Sequence, residues 1–136
     1  VIQSTVTMQA YSQRIGRKRV DAAALIDYWS DRVEHLLRAC VRDRSLIPAE
    51  RGFDSMLHVF MADEMATVEQ VYRVAGLELT NAARVRLKGY VDAHPRGKDG
   101  RVVYNLTRDF ATDPAHLRER FRFYFDRFPI HAETRS

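Results

Sequence analysis

Apolar residues recur every three or four positions through most of the chain, which is the spacing of amphipathic helices. One stripe fills residues 21–41, and a second fills residues 63–75 and stops at Gly76, which predicts a left-handed C-cap. The inner positions of the first stripe are Leu25, Trp29, Val33, Leu36, Leu37 and Cys40. We therefore predict two helices here, and we expect Cys40 to be buried as a small apolar side chain.

Three further helices follow from capping signals. Thr80 is a good N-cap, and the helix after it should end before Pro95, because a residue that precedes proline is pushed out of the helical region. Asp113 and Pro114 form an N-cap and first helical residue, followed by apolar positions that we expect to face inward: Leu117, Phe121, Tyr124, Phe125 and Phe128. Residues 3–15 complete a set of about five helices.

A short apolar run, residues 55–60, reads as one buried strand. A single strand cannot satisfy its own backbone hydrogen bonds, so the run either pairs with strands outside this chain or is not a strand. The chain also opens at Val1 without an initiator methionine. We therefore expect it to be one portion of a single domain that belongs to a longer polypeptide, and to expose apolar surface when isolated.

Composition narrows the class of protein. The 136 residues are 46% apolar and 29% charged, with one cysteine and no apolar run long enough to span a bilayer. These values predict a globular domain without an internal disulfide, located in the cytoplasm. The formal charge of +4 and the pI near 9.5 favour an anionic partner. The five histidines lack paired ligand spacing, so we expect no metal.

The segment of residues 94–101 is the best ligand candidate. Gly97 and Gly100 allow positive φ angles that turn N–H groups toward one point, and Arg96, Lys98 and Arg101 add cations. Such a loop suits a phosphate group. An ordinary polar turn between a helix and the next segment explains the same residues equally well.

Several segments together resemble the sulfotransferases that use 3′-phosphoadenosine 5′-phosphosulfate, particularly bacterial sulfotransferase-family proteins. The likeness covers nearly the whole chain. Its carriers are Ser4-Thr5-Val6-Thr7-Met8, Met61-Ala62-Asp63, Val68-Glu69-Gln70-Val71-Tyr72, His94-Pro95-Arg96-Gly97-Lys98 with Gly100-Arg101, and Leu117-Arg118-Glu119-Arg120-Phe121.

The resemblance implies an α/β fold of the P-loop type, of which this chain is the mainly helical C-terminal part. It implies binding of the co-substrate's 3′-phosphate by six residues of this chain: Ser4, Arg96, Gly97, Lys98, Gly100 and Arg101. Pro95 and Arg101-Val102 depart from the family pattern on either side of the loop. The resemblance places the catalytic residues and the 5′-phosphosulfate loop in an N-terminal half, so we expect no catalytic residue here and no activity of this chain alone.

The intact enzyme is expected to transfer a sulfuryl group to a hydroxyl or amine, on a small molecule or a glycan, without a metal. The Arg14, Arg17, Lys18 and Arg19 cluster either lines part of an acceptor pocket or is a solvated helix face. We expect no nucleic-acid partner, no stable membrane insertion, and a possible homo-oligomer through exposed apolar surface. The alternatives are a basic helical module that binds nucleic acid, suggested by the pI and the Gly-x-x-Gly spacing, and a helical protein-interaction module.

Overall fold

The computed structural model describes residues 1–16, 18–95, 97–98, 100 and 103–130. Over this part of the chain the protein is mainly helical, at 72%, and contains no strand. The helices are α1 (Ile2–Ile15), α2 (Ala22–Asp43), α3 (Leu57–Ala62), α4 (Glu64–Val74), α5 (Asn81–Ala93), α6 (Leu106–Phe110), α7 (Pro114–Arg120) and α8 (Arg122–Arg127), with 3₁₀ turns at Arg44–Leu46 and Ala49–Arg51. None of these helices is both long and apolar enough to cross a membrane.

Side-chain caps begin most of the longer helices. The carboxylate of Asp21 accepts a hydrogen bond from the Ala24 N–H at 3.0 Å, and the hydroxyl of Thr80 accepts one from the Ala83 N–H at 3.2 Å. The carboxylate of Asp113 does the same for Ala115 at 2.8 Å. Each cap satisfies an N–H group that has no partner within its own helix. The caps predicted at Thr80 and Asp113 are therefore confirmed.

The chain divides into two compact units, Val1–Arg44 with the chain from Val103 onward, and Ser45–Val102. In the first unit, α1, α2 and α6–α8 enclose an apolar core. Its buried members are Ile2, Val6, Ala10, Leu25, Ile26, Val33, Leu106, Phe110 and Phe121. Val6 is fully buried. In the final helical region Phe121 and Phe128 are 7% and 5% exposed, whereas the other three residues predicted to face inward are half-buried, so the inner face is confirmed in part. Tight packing of this kind is the main favourable contribution to folding.

The second unit contains α3, α4 and α5. None of its described residues is buried, and large apolar side chains such as Leu57, Val71 and Val85 are at least half exposed. Its local structure is nevertheless well defined. After α4, Gly76 has a φ of 66°, and the Leu77 N–H donates to the Tyr72 carbonyl at 2.9 Å. This is the Schellman arrangement, and it confirms the left-handed cap predicted at Gly76.

Residues 55–60 do not form the predicted strand. The segment enters α3 at Leu57, where the Phe60 N–H donates to the Met56 carbonyl at 2.9 Å. A helix satisfies its backbone hydrogen bonds within the segment, whereas a strand needs a neighbour, and no described residue provides one. The apolar run was compatible with either structure, because a run of this length carries no decisive periodicity.

The number of helices also differs from the prediction of about five. The final helical region divides at Phe121, whose φ of −98° and ψ of 11° leave the α-helical region. An additional helix, α6, begins at Asn105, whose side chain accepts from the Arg108 N–H at 2.8 Å. Leu36, predicted as an inner position of α2, is 67% exposed, so that prediction was wrong. The prediction for Cys40 was also wrong, since its side chain is exposed. It lies near the end of α2, beyond the last buried position of that helix at Val33.

Candidate phosphate-binding loop

Helix α5 leads directly into the candidate loop. Its last turn is closed by His94, whose backbone N–H donates to the carbonyls of Tyr90 and Val91 at 3.0 and 3.1 Å. The imidazole of His94 stacks on the Tyr90 ring with the ring centres 4.1 Å apart, and its Nδ1 lies 2.8 Å from the Tyr90 carbonyl oxygen. The start of the loop is therefore held by backbone and ring contacts within one helical turn.

Two consecutive turns shape the loop itself. The Lys98 N–H donates to the Pro95 carbonyl at 3.1 Å, and the Gly100 N–H donates to the Gly97 carbonyl at 3.0 Å. Gly97 has a φ of 78° and Gly100 a φ of 102°, both of which are unfavourable for residues with a Cβ atom. The glycine spacing favours positive φ angles at these two positions, and both are confirmed. A β-carbon built on either glycine would meet no atom within 4 Å apart from those of its chain neighbours, so no other described part of the chain crowds the turns.

Lys98 is the described cation of this loop. Its Nζ donates to the Ala93 carbonyl at 3.3 Å, on the exposed C-terminal end of α5. A cation in this position satisfies a free carbonyl and interacts favourably with the negative end of the helix dipole. The distance is long for a hydrogen bond to an ammonium group and the site faces solvent. The contact is therefore easily exchanged for one with an anion.

Ser4 belongs to the first unit, whereas Gly97, Lys98 and Gly100 belong to the second. Its Oγ donates to the Val1 carbonyl at 2.8 Å, in the first turn of α1, and the side chain is half-buried. The hydroxyl proton is thus engaged locally, and rotation about χ1 would be needed to redirect it. The remaining predicted contacts, Arg96 and Arg101, lie outside the described residues.

The N-terminal basic cluster lies at the end of α1 and in the segment that follows. Arg14, Lys18 and Arg19 are exposed, and Arg17 lies outside the described residues. The pKa of the Asp109 carboxyl is lowered, chiefly by the hydrogen bond from Arg108 and to a small extent by the charge of Arg14. The exposure of Arg14, Lys18 and Arg19 is what a solvated basic face requires. The acceptor-pocket interpretation of the cluster stays a prediction.

Two features of the structure were not predicted from the sequence, and the first is a set of ion pairs. Arg120 is paired with both Asp31 and Glu34, and its Nε lies 2.6 Å from Oε2 of Glu34. Hydrogen bonds from Arg120 and, secondarily, Arg38 lower the pKa of the Glu34 carboxyl. A separation of 86 residues between Arg120 and Glu34 left no local pattern that could have revealed this pairing.

The other unpredicted feature is a cavity of about 300 Å³ within the second unit, bordered by residues of α3, α4 and α5. The only local signal for it in the sequence is the spacing of Lys88 and Asp92, four residues apart on one helix face.

Over the described part of the chain, no group of three or more histidine, cysteine, aspartate or glutamate side chains is arranged to hold a metal ion. Comparison with protein-family models, with curated proteins and with solved structures finds no match for this chain.

Proposed function

We propose that this chain is part of a sulfotransferase that uses 3′-phosphoadenosine 5′-phosphosulfate, and that the Gly97–Gly100 loop binds the 3′-phosphate. The observation that supports the proposal is the pair of positive φ angles at Gly97 and Gly100, on either side of Lys98. In many proteins, turns with this conformation direct backbone N–H groups to one side, where they bind phosphate oxygens. The Lys98 and Gly100 N–H groups close the two turns here, so an anion would share or replace those contacts. The open space beside both glycines leaves room for the anion.

Lys98 provides a positive charge that can move from the Ala93 carbonyl to a bound phosphate. A dianionic phosphate attracts an ammonium group more strongly than the neutral Ala93 carbonyl does, because charge-assisted hydrogen bonds are the stronger class. Binding would therefore release the 3.3 Å contact with Ala93. The proposal also includes Arg96 and Arg101, which add guanidinium groups suited to phosphate, and Ser4 as a neutral donor.

The proposed chemistry is transfer of the sulfuryl group to a hydroxyl or amine acceptor, with 3′-phosphoadenosine 5′-phosphate as the other product. The role of this chain in that reaction is recognition of the co-substrate. The terminal 3′-phosphate distinguishes the co-substrate from ordinary adenylates, so a site for that group supplies specificity. No residue of the chain is assigned to sulfuryl transfer itself.

The test is a calorimetric titration of the chain with 3′-phosphoadenosine 5′-phosphate and with adenosine 5′-monophosphate, which lacks the 3′-phosphate. We expect tighter binding of the first. Arg96→Ala should weaken it by about 10- to 150-fold, the equivalent of a charge-assisted hydrogen bond worth roughly 1.5 to 3 kcal/mol. Lys98→Ala should weaken it less, because the Lys98 ammonium must first leave Ala93. Ser4→Ala should cost the same as Arg96→Ala or less, and Gly97→Val should abolish binding because valine opposes positive φ.

Lys18→Ala is the matched control, since it removes one lysine charge without changing any of the six proposed phosphate contacts. It should leave both titrations unchanged apart from a small effect of net charge. Variants that weaken both nucleotides equally, or a chain that does not distinguish them, would reject the assignment of the loop. Binding of a single-stranded oligonucleotide with a steep dependence on salt would instead favour the nucleic-acid alternative.

A further inference from the structure

A second candidate site, whose lining shares no residue with the glycine loop, is the cavity of about 300 Å³ bordered by α3, α4 and α5. Met61 and Met65 lie on either side of the junction between α3 and α4, and Val91 faces the cavity from the last turn of α5. Methionine side chains are unbranched and polarizable, so they adapt to small apolar groups of different shape. The volume lies at the lower end of the range for small-molecule sites.

The charged side chains around this cavity are mostly acidic. Asp63, Glu64 and Asp92 supply three carboxylates and Lys88 one ammonium, a formal net charge of −2 on the lining. Lys88 Nζ lies 3.4 Å from an oxygen of Asp92, so the one cation is already paired. One oxygen of Asp63 caps α4 by accepting from the Ala66 N–H at 2.9 Å, and its other oxygen takes no part in that bond.

The helix dipoles do not reverse the preference of this acidic lining for a cation. The N-terminal end of α4 is positive, but Asp63 and Glu64 already place two carboxylates there. Val91 and Asp92 belong to the C-terminal end of α5, the negative end of its dipole, which favours a cation and where Lys98 already contacts the Ala93 carbonyl. The site is therefore an open depression whose lining combines apolar methionine and valine side chains with a net negative charge. It contrasts with the cationic glycine loop, although both are in the same unit.

We propose that this cavity binds a small organic cation, an alkylammonium group with a short apolar chain. The chain would contact Met61, Met65 and Val91, and the ammonium group would lie among the carboxylates of Asp63, Glu64 and Asp92. Because the site faces solvent, we expect its affinity for a simple amine to lie in about the millimolar range. This inference is independent of the proposed sulfotransferase function.

Methionine methyl NMR tests the site directly, because the chain has four methionines and only Met61 and Met65 border the cavity. The probes are n-butylammonium, n-butanol and butyrate, which share an alkyl chain and differ in charge. We expect n-butylammonium to shift the Met61 and Met65 methyl signals saturably, and Met8 and Met56 to serve as internal references. Butanol should need at least about a fivefold higher concentration, and butyrate should give no saturable shift.

Single substitutions distinguish an effect of charge on binding from an effect of misfolding. Glu64→Gln and Asp92→Asn should each weaken butylammonium binding by about two- to fivefold, whereas Glu50→Gln, in the same unit but outside the cavity, should not. Lys88→Gln should strengthen binding by a similar factor, a gain that misfolding cannot produce. Equal shifts from all three probes, shifts of all four methionines alike, or weaker binding by Lys88→Gln would each overturn the proposal.

Discussion

The two units of this chain show that amphipathic helices alone do not produce a core. In the first unit, α1 and α2 are long and their apolar faces meet, so that Val6 is fully buried and Ser30 is 2% exposed. In the second unit the helices are equally well capped, yet no described side chain of that unit is buried. The Schellman motif at Gly76 and the caps at Asp63 and Thr80 hold the backbone locally. Burial stabilises the first unit, whereas local hydrogen bonds define the second.

Removing one buried ring should give the largest effect. Phe121→Ala deletes an aromatic side chain from the core of the first unit and leaves a cavity, so we expect a loss of about 3 to 5 kcal/mol in the free energy of unfolding. Phe53→Ala is the matched substitution in the second unit, where the ring is 36% exposed, and it should cost about 1 kcal/mol or less. Urea denaturation followed by circular dichroism measures both losses, and similar losses would contradict the difference in burial between the two units.

Hydrogen exchange should separate the two units without any substitution. We expect the amide of Val33, in the core-facing part of α2, to exchange at least about 100-fold more slowly than that of Val71 in α4, after correction for intrinsic rates. This factor corresponds to about 2.8 kcal/mol in the free energy of opening. Equal protection of the two amides would mean that the second unit opens only with the first.

Among its described residues, the core of the first unit contains one buried polar side chain, Ser30. The Ser30 hydroxyl is buried, and no group in the described part of the chain forms a hydrogen bond with it. Ser30→Ala should therefore raise the free energy of unfolding by about 1 kcal/mol, since it removes an unsatisfied buried group and favours the helix. Ser12→Ala, at an exposed position of α1, should stay within about 0.5 kcal/mol. Destabilisation by Ser30→Ala would indicate that the hydroxyl has a partner.

The smallest expected effect concerns acid stability. Because hydrogen bonds from Arg120 and Arg38 lower the pKa of Glu34 in the folded state, they stabilise the protein above the unfolded pKa of about 4.3. That contribution is lost as the pH falls through the lowered folded pKa.

Glu34→Gln should thus cost at most about 1 kcal/mol at neutral pH and flatten the loss of stability below about pH 4.3. Glu69→Gln, which removes the partner of Arg84 in the second unit, should cost less. Denaturation midpoints between about pH 2 and 7 test both variants, and an unchanged acid profile for Glu34→Gln would contradict this account.

Local signals in the sequence were enough to place five helical regions, because capping residues and apolar spacing act within one helix. The cap residues Asp113 and Thr80 and the left-handed Gly76 were all predicted in this way. The strand prediction failed for the opposite reason. A strand depends on a partner elsewhere, and residues 55–60 contain nothing that specifies one.

The candidate sites follow the same division. Positive φ at Gly97 and Gly100 could be predicted because glycine spacing is local. The contact of the Lys98 ammonium with the Ala93 carbonyl depends on how the chain turns after α5. The cavity lined by Met61 and Met65 depends on how three helices pack, and no single sequence motif predicts either feature. The long-range pairing of Arg120 with Glu34 was missed on the same grounds.

One residue, Asp63, joins α3 to α4. Its N–H donates to the Val59 carbonyl at 3.1 Å and its side chain caps α4, so it ends one helix and begins the next. Asp63 is the only residue between the end of α3 and the start of α4. An insertion or deletion at Asp63 would change the angle between two walls of the methionine-lined cavity, whereas the segment between α2 and α3 can change length without that penalty. In descendants of this chain, we therefore expect length variation to accumulate before α3, while α3 and α4 are inherited as one piece.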